Sequence, residues 1–126
     1  MEGVTDHDLP AERWRTELRR RLLLARKGRD PSSTSALRSA LSAIDNAETP
    51  DGPVPSAGAI ADSAVGLGSA EVRRRELADD EIRALIQGET EERRGAADQF
   101  AATGHAGRAA ALVAEAGVLE GILGEL

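Results

Sequence analysis

The chain has 126 residues, which is enough for one small domain with a modest hydrophobic core. It contains no cysteine, so disulfides, thiolate nucleophiles and cysteine-based zinc sites are excluded. Its formal net charge of −6 repels nucleic-acid phosphates and anionic membranes, so any contact with RNA must come from a local basic patch.

The N-terminus predicts neither a signal peptide nor a membrane anchor. The sequence MEGVTDHDLP is acidic, whereas a signal peptide begins with basic residues and continues with an apolar run. No stretch approaches the roughly 18 apolar residues that span a bilayer. We therefore expect a cytoplasmic protein without a membrane segment, in which residues 1–8 form a flexible N-terminus.

Start signals and apolar periodicity mark a first helix over about residues 9–28. Asp8 can cap this helix and Pro10 lies in its first turn. One face is apolar and Gly28 ends the helix. The apolar positions are Trp14, Leu18, Leu22 and Ala25.

A second helix is predicted over residues 31–48. Asp30 is the expected N-cap, and Pro31 takes the first helical position because its ring already fixes a helical φ. The turn between the two helices is short, so they should form an antiparallel hairpin. The apolar positions of the second helix are Leu37, Ala40, Leu41 and Ile44.

Residues 49–69 differ in composition from the rest of the chain. Prolines at positions 50, 53 and 55, together with four glycines, prevent a regular helix through the first half of this stretch. We expect a long mobile loop, with a short helical turn near residues 59–65. Two interpretations stay open, a solvated linker and a functional lid.

Two more helices are expected after the loop, over residues 79–103 and 106–124. Leu77 is placed to pack against Ile82 or Arg83 at the start of the third helix, and Gly104 follows its end. No segment alternates as a strand does. The sequence therefore predicts one all-α domain over residues 9–126, a small bundle of two antiparallel helical pairs joined by a long Pro/Gly-rich loop.

No catalytic residues, metal ligands or cofactor sites are predicted. His7 and His105 are far apart in the sequence and are poor candidates for one metal site. The serines of SSTSALRS occupy the first turns of a helix, where hydroxyls commonly satisfy backbone N–H groups. The chain lacks a phosphate loop and a nucleophile with a base beside it. We expect no enzymatic activity from the isolated protein, including hydrolysis of glutamine or ATP.

The first helix carries the strongest charge asymmetry in the chain. Residues 12–29 include eight basic and two acidic residues, a local net charge of +6, with Leu23 exposed between two basic flanks. One interpretation is a surface for RNA or an acidic partner. The other is neutralisation by the acidic third helix. The candidate nucleic-acid-binding residues are Arg13, Arg20, Arg26, Lys27 and Arg29, together with Arg94 of the third helix.

Two adjacent arginines in the third helix receive different predictions. Arg93 lies four residues after Glu89 and can form an ion pair along the helix, so we expect it to be structural and to bridge toward the second helix. Arg94 projects about 100° away from Arg93 and is the better candidate for an external contact.

The order of these features resembles the GatB/YqeY family of small helical proteins. Basic residues precede a helix that contains Ser35, Leu37 and Arg38. This helix ends with Asn46 and Glu48. ELADDEI follows at residues 76–82. The later matching positions are Gln87, Glu89, Arg93, Arg94, Phe100, Gly104, Ala109, Glu115, Leu119 and Leu123.

The resemblance implies a fold and an accessory role. The family domain is similar to the tail of the B subunit of glutamine-dependent tRNA amidotransferase, where the tail contacts tRNA and catalysis lies elsewhere. Free-standing members often carry the label of a carbon–nitrogen ligase with glutamine as amido-N-donor. The implied partners are tRNA or a tRNA-processing ligase subunit, and the expected state is a monomer. The polar residues of the family pattern are Arg38, Asn46, Glu48, Glu89 and Arg93.

Three departures from the family pattern stand out. The Pro/Gly-rich loop is longer than in compact members. Ala78 stands where a capping Thr or Ser is usual, which leaves Asp79 to cap the third helix. Gly124 lies where a proline-containing link to a second, three-helix bundle is usual, so we expect that bundle to be absent. Without it, a protein–protein interaction module with no nucleic-acid role is the alternative function.

Overall fold

The computed structural model describes residues 9–50 and 74–126, and these form an all-α bundle of four helices. The helices are α1 (Pro10–Lys27), α2 (Pro31–Glu48), α3 (Asp79–Ala102) and α4 (Ala106–Glu125). The predicted all-α architecture of two helical pairs is confirmed. The expected Asp8 cap, the flexible N-terminus, His7, the helical turn near 59–65 and nearly all of the 49–69 loop lie outside the described residues.

The N-termini of α2 and α3 are capped in different ways. Asp30 caps α2 as predicted, because its carboxylate accepts from the backbone N–H of Ser33 at 3.1 Å. The expectation that Asp79 caps α3 is wrong. Ala78 is the N-cap residue and has no side-chain acceptor, while its own backbone N–H donates to Glu81 Oε1 at 2.8 Å. Only this half of a capping box can form, since the other half needs a side-chain oxygen at the cap.

Each helical pair is joined by a short turn of the same type, the Schellman motif, in which two backbone N–H groups reach back to the last turn of the helix. After α1, the N–H of Asp30 donates to the carbonyl of Ala25 and that of Arg29 to the carbonyl of Arg26. After α3, His105 donates to Phe100 and Gly104 to Ala101. The short turns make both pairs antiparallel.

The two turns differ in the residue that takes the left-handed conformation. Gly104 holds this position after α3, with φ of +83°. After α1 it is Arg29, with φ of 55°, whereas the neighbouring Gly28 has an ordinary helical φ of −83°. A side chain in this region costs about 1–2 kcal/mol relative to the right-handed conformation. The α1–α2 turn therefore has an arginine where the backbone favours glycine.

The main core is built from aliphatic side chains of all four helices. The fully buried large residues include Leu18 of α1, Ile44 of α2, Ile82 and Ile86 of α3, and Leu119 of α4. Leu77, just before α3, is buried in the same cluster as Ile82, where a hydrophobic staple was expected. Trp14 is also buried there. The predicted apolar faces of α1 and α2 thus face the core.

A second, smaller cluster lies at the far end of the α3–α4 pair. It contains Ala97, Ala109 and Leu112, with Ala96 and Phe100 packed against them. The two clusters share no residue. Because α1 and α2 contribute nothing to the small cluster, the tip of the α3–α4 pair is stabilised by its own contacts.

Candidate nucleic-acid interface

Arg15 does not contribute its charge to the predicted basic surface, because it is buried, with 6 % of its surface exposed. Its guanidinium forms ion pairs with Glu12 at 2.6 Å, Asp45 at 3.0 Å and Glu48 at 2.5 Å. Glu48 is also buried and accepts a further bond from Arg74 at 3.0 Å. Glu48, a polar position of the family pattern, therefore links α1 and α2 to the segment before α3.

Arg20 and Arg21 share one carboxylate of their own helix. Glu17 accepts from Arg20 at 2.5 Å and from Arg21 at 2.8 Å. The hydrogen bonds from Arg20 and Arg21 lower the pKa of Glu17 from 4.5 to about 2. Arg21 also pairs with Glu125 of α4 at 2.7 Å. The candidate Arg20 is thus exposed, but its charge is balanced locally.

The neutralising carboxylates come mainly from elements other than the third helix. One of the two interpretations had the acidic third helix balance α1, but Glu12 and Glu17 belong to α1 itself, and Asp45, Glu48 and Glu125 belong to α2 and α4. From α3, Asp79 contacts α1, where it accepts from Trp14 and is attracted by Arg13. The bonds from Trp14 and Arg83 lower the pKa of Asp79. Neutralisation therefore occurs, but it covers only part of α1.

Three charges without a carboxylate partner in the described chain lie close together at the C-terminal end of α1 and in the following turn. Arg26, Lys27 and Arg29 are exposed and form no ion pair with any carboxylate in the described ranges. Two leucines on the same helix are also exposed, Leu23 by 53 % and Leu24 by 55 %. Sequence periodicity predicted an exposed Leu23, but Leu24 was missed. This end of α1 combines positive charge with accessible apolar surface.

A shallow depression of about 750 Å³ lies beside these residues, between the end of α1, the turn and the first turns of α2. We call it the basic groove. Arg38 of α2 also lines it and, like Arg26 and Arg29, has no ion-pair partner within residues 9–50 and 74–126. The groove is lined by Arg26, Arg29, Asp30, Pro31, Thr34, Ser35, Arg38 and Ser39.

Arg93 forms the polar centre of the bundle. Helical spacing had predicted only one of its partners, Glu89. Its guanidinium pairs with Glu89 at 2.8 Å and with Glu115 of α4 at 2.9 Å, and donates to Ser39 Oγ of α2 at 2.7 Å. Burial disfavours the charge of Arg93, but the bonds to Glu115 and Glu89 outweigh this effect and raise its pKa. Arg93 therefore connects three helices, including the second helix toward which it was expected to bridge.

Arg94 has a partner that spacing within α3 could not reveal. It pairs with Glu120 of α4 at 2.5 Å, and both side chains are about half exposed. The pair lies on the surface, so water can replace it at little cost. Arg94 therefore belongs to the exposed surface of the α3–α4 pair and is not among the residues that line the depression beside the end of α1.

The remaining polar positions occupy different environments. Asn46 is exposed near the end of α2 and lines a depression of about 1000 Å³. Arg15, Glu48 and Arg74 line it too, and both arginines pair with Glu48. His105 lies in the α3–α4 turn beside Thr103, and its ring forms a T-shaped pair with Phe100. The described residues contain no cluster of three or more potential metal ligands.

Comparison with protein-family models, with characterised proteins and with solved structures gives no significant match for this chain. Among the described helices, none is both long enough and apolar enough to cross a bilayer.

Proposed function

We propose that the chain is a non-catalytic, YqeY-like accessory module that binds tRNA through the C-terminal end of α1. The sequence resemblance described above supports the family and its link to glutamine-dependent amidotransferases. The observation that carries the RNA proposal is the position of the unpaired cations. In a protein of net charge −6, Arg26, Lys27 and Arg29 stay without carboxylate partners in the described chain and adjoin one another.

Phosphate contacts through these cations have a measurable consequence. Each phosphate that a side chain neutralises releases condensed counterions, so the logarithm of the affinity falls linearly with the logarithm of the salt concentration. Three to four contacts predict a slope of about −2 to −4 and micromolar-class binding at low salt. The interaction would position RNA by its backbone and would not read its sequence.

The test is titration of the purified protein with bulk tRNA at two salt concentrations. The test variant is Arg26→Glu with Lys27→Glu. Its matched control is Arg19→Glu with Arg108→Glu, which changes the net charge equally at exposed positions elsewhere. We expect the test variant to lose tRNA binding and to show a flatter salt dependence. The control should keep most of the tRNA affinity and most of the salt dependence. Equal losses in the two variants would show that only overall charge matters and would contradict a site at the end of α1.

A second function is favoured by the exposed Leu23 and Leu24. These side chains could dock a subunit of a tRNA-processing ligase, with the surrounding cations meeting acidic residues of the partner. Such binding would depend weakly on salt and would be lost on Leu23→Asp. Salt-insensitive binding of a purified ligase subunit, together with no tRNA binding at low salt, would establish this second function in place of the first.

A further inference from the structure

The basic groove brings together several arginines that form no ion pair within the described chain, whereas most of the described arginines outside it are paired. Arg15, Arg20, Arg21, Arg83, Arg93 and Arg94 each form an ion pair with a carboxylate. Arg26, Arg29 and Arg38 line one depression, and none of them pairs with a carboxylate that the structure describes. They come from α1, the turn and α2, so the fold brings together three arginines that are up to twelve residues apart and have no carboxylate partner among the described residues.

Arg29 reaches the groove from an unfavourable backbone conformation. It occupies the left-handed position of the α1–α2 turn, where φ is 55° and where glycine would be unstrained. Gly28 is adjacent but does not take this position, since its φ is −83°. Strained positions that a sequence retains commonly mark functional sites. The strained position makes the side chain of Arg29 a candidate for a role that glycine could not fill.

The other groups in the groove suit a phosphate oxygen. A guanidinium donates two parallel N–H bonds to phosphate, which makes arginine the preferred residue for binding it. Thr34, Ser35 and Ser39 add hydroxyl groups. Asp30 also lines the groove, but its carboxylate already accepts from the N–H and the hydroxyl of Ser33 at 3.1 and 2.7 Å. Three cations and one carboxylate leave a net charge of about +2.

We propose that the basic groove is a phosphate-binding site, and that Arg29 is retained in its strained conformation to complete it. The groove is shallow, so it holds a phosphate group presented by a larger molecule or a free phosphate ion. The site includes Arg38 and the strained turn, neither of which the general electrostatic attraction of α1 requires. Where the phosphate belongs to tRNA, the inference rests on the proposed function.

The test uses the full chain and two probes, bulk tRNA and inorganic phosphate, the latter against chloride at equal ionic strength. Arg29→Gly removes the side chain and also removes the strain, so the variant should fold and should melt at a higher temperature than the wild type. Arg38→Gln removes the charge from α2. Arg29→Lys keeps the charge, and Arg19→Gln is a control at an exposed arginine outside the groove.

We expect Arg29→Gly and Arg38→Gln each to weaken phosphate binding by roughly tenfold, and Arg29→Lys to keep part of it, because a lysine retains the charge but not the forked donors. Arg19→Gln should leave phosphate binding unchanged. If phosphate binds with this pattern and tRNA does not, the site stands and the proposed function fails. If tRNA binds but neither Arg29→Gly nor Arg38→Gln weakens it more than Arg19→Gln does, or if neither probe binds, the site is overturned.

Discussion

The indole Nε1 of Trp14 donates a hydrogen bond to a carboxylate oxygen of Asp79 at 2.7 Å and so joins α1 to the first turn of α3. The ring of Trp14 also lies under the guanidinium of Arg83, whose Cζ is 5.2 Å from the ring centroid, and Arg83 in turn pairs with Asp79 at 2.8 Å. Trp14 is therefore both a core residue and a hydrogen-bond donor that links α1 to Asp79.

Replacing Trp14 with Phe tests this bond. Phenylalanine fills much of the space but has no N–H, so the variant loses a bond to a charged acceptor and some packing. We expect the free energy of unfolding to fall by about 1–3 kcal/mol, measured by urea denaturation. Asp79→Asn should destabilise the protein less than this but more than the control Asp80→Asn at the exposed neighbour. Equal effects of the two Asp→Asn changes would contradict the bond.

The buried pair of Arg15 and Glu48 gives a second prediction. Arg15→Met leaves the buried carboxylate with Arg74 alone, and we expect a loss of roughly 3 kcal/mol of unfolding free energy. The double variant Arg15→Met with Glu48→Leu removes both charges and should recover much of that loss. Chemical denaturation of both variants measures the difference. A double variant that is no more stable than the single one would contradict this explanation, because the carboxylate left without Arg15 would then not be the source of the loss.

Arg93 and Arg94 should differ sharply in their effect on stability. Arg93→Ala leaves the buried Glu115 and the hydroxyl of Ser39 without their partner, which we expect to cost about 3 kcal/mol. Arg94→Ala removes a surface pair with Glu120 and should cost about 0.2–1 kcal/mol. The melting temperatures of the two variants, measured under identical conditions, test this difference. A larger decrease for Arg94→Ala would reverse the two assignments.

Glu17 predicts a pH dependence of stability. Because Arg20 and Arg21 lower its folded-state pKa to about 2 from an ordinary 4.5, the unfolded chain binds this proton first as the pH falls. The stabilisation by Glu17 is therefore present above pH 4.5 and is lost between pH 4.5 and 2. In Glu17→Gln, the stability measured by denaturation should fall less steeply over this interval. An unchanged slope would mean that the pair does not persist in solution.

The helices and their buried faces could be predicted from the sequence because periodicity and capping are local properties. Asp30, Pro31 and the apolar face of α2 lie within one short segment, and the structure places them as expected. Glu89 and Arg93 are likewise four residues apart on one helix. Each of these relationships needs only the geometry of a single helix.

The partners across helices could not be predicted in this way. Arg94 meets Glu120 because α3 and α4 pack side by side, and spacing along one helix does not reveal this. The burial of Arg15 did leave a signal, since Ala11, Arg15, Leu18, Leu22 and Ala25 follow a helical stripe with an arginine inside an otherwise apolar face. The conformation of Arg29 left no such signal in the sequence, because the glycine at position 28 indicated the wrong residue for the left-handed position.

The separation of the two apolar clusters implies that the protein opens in stages. Along α3, Arg93 lies between Ile86 of the main core and Ala97 of the small cluster, and Glu115 lies between Leu119 and Leu112 along α4. Apart from Leu112 and Phe100, the cluster beyond this polar layer consists of alanines, so it has fewer large apolar side chains than the main core. Its amides should exchange with solvent hydrogen through local unfolding, well before those of the main core, which require global unfolding.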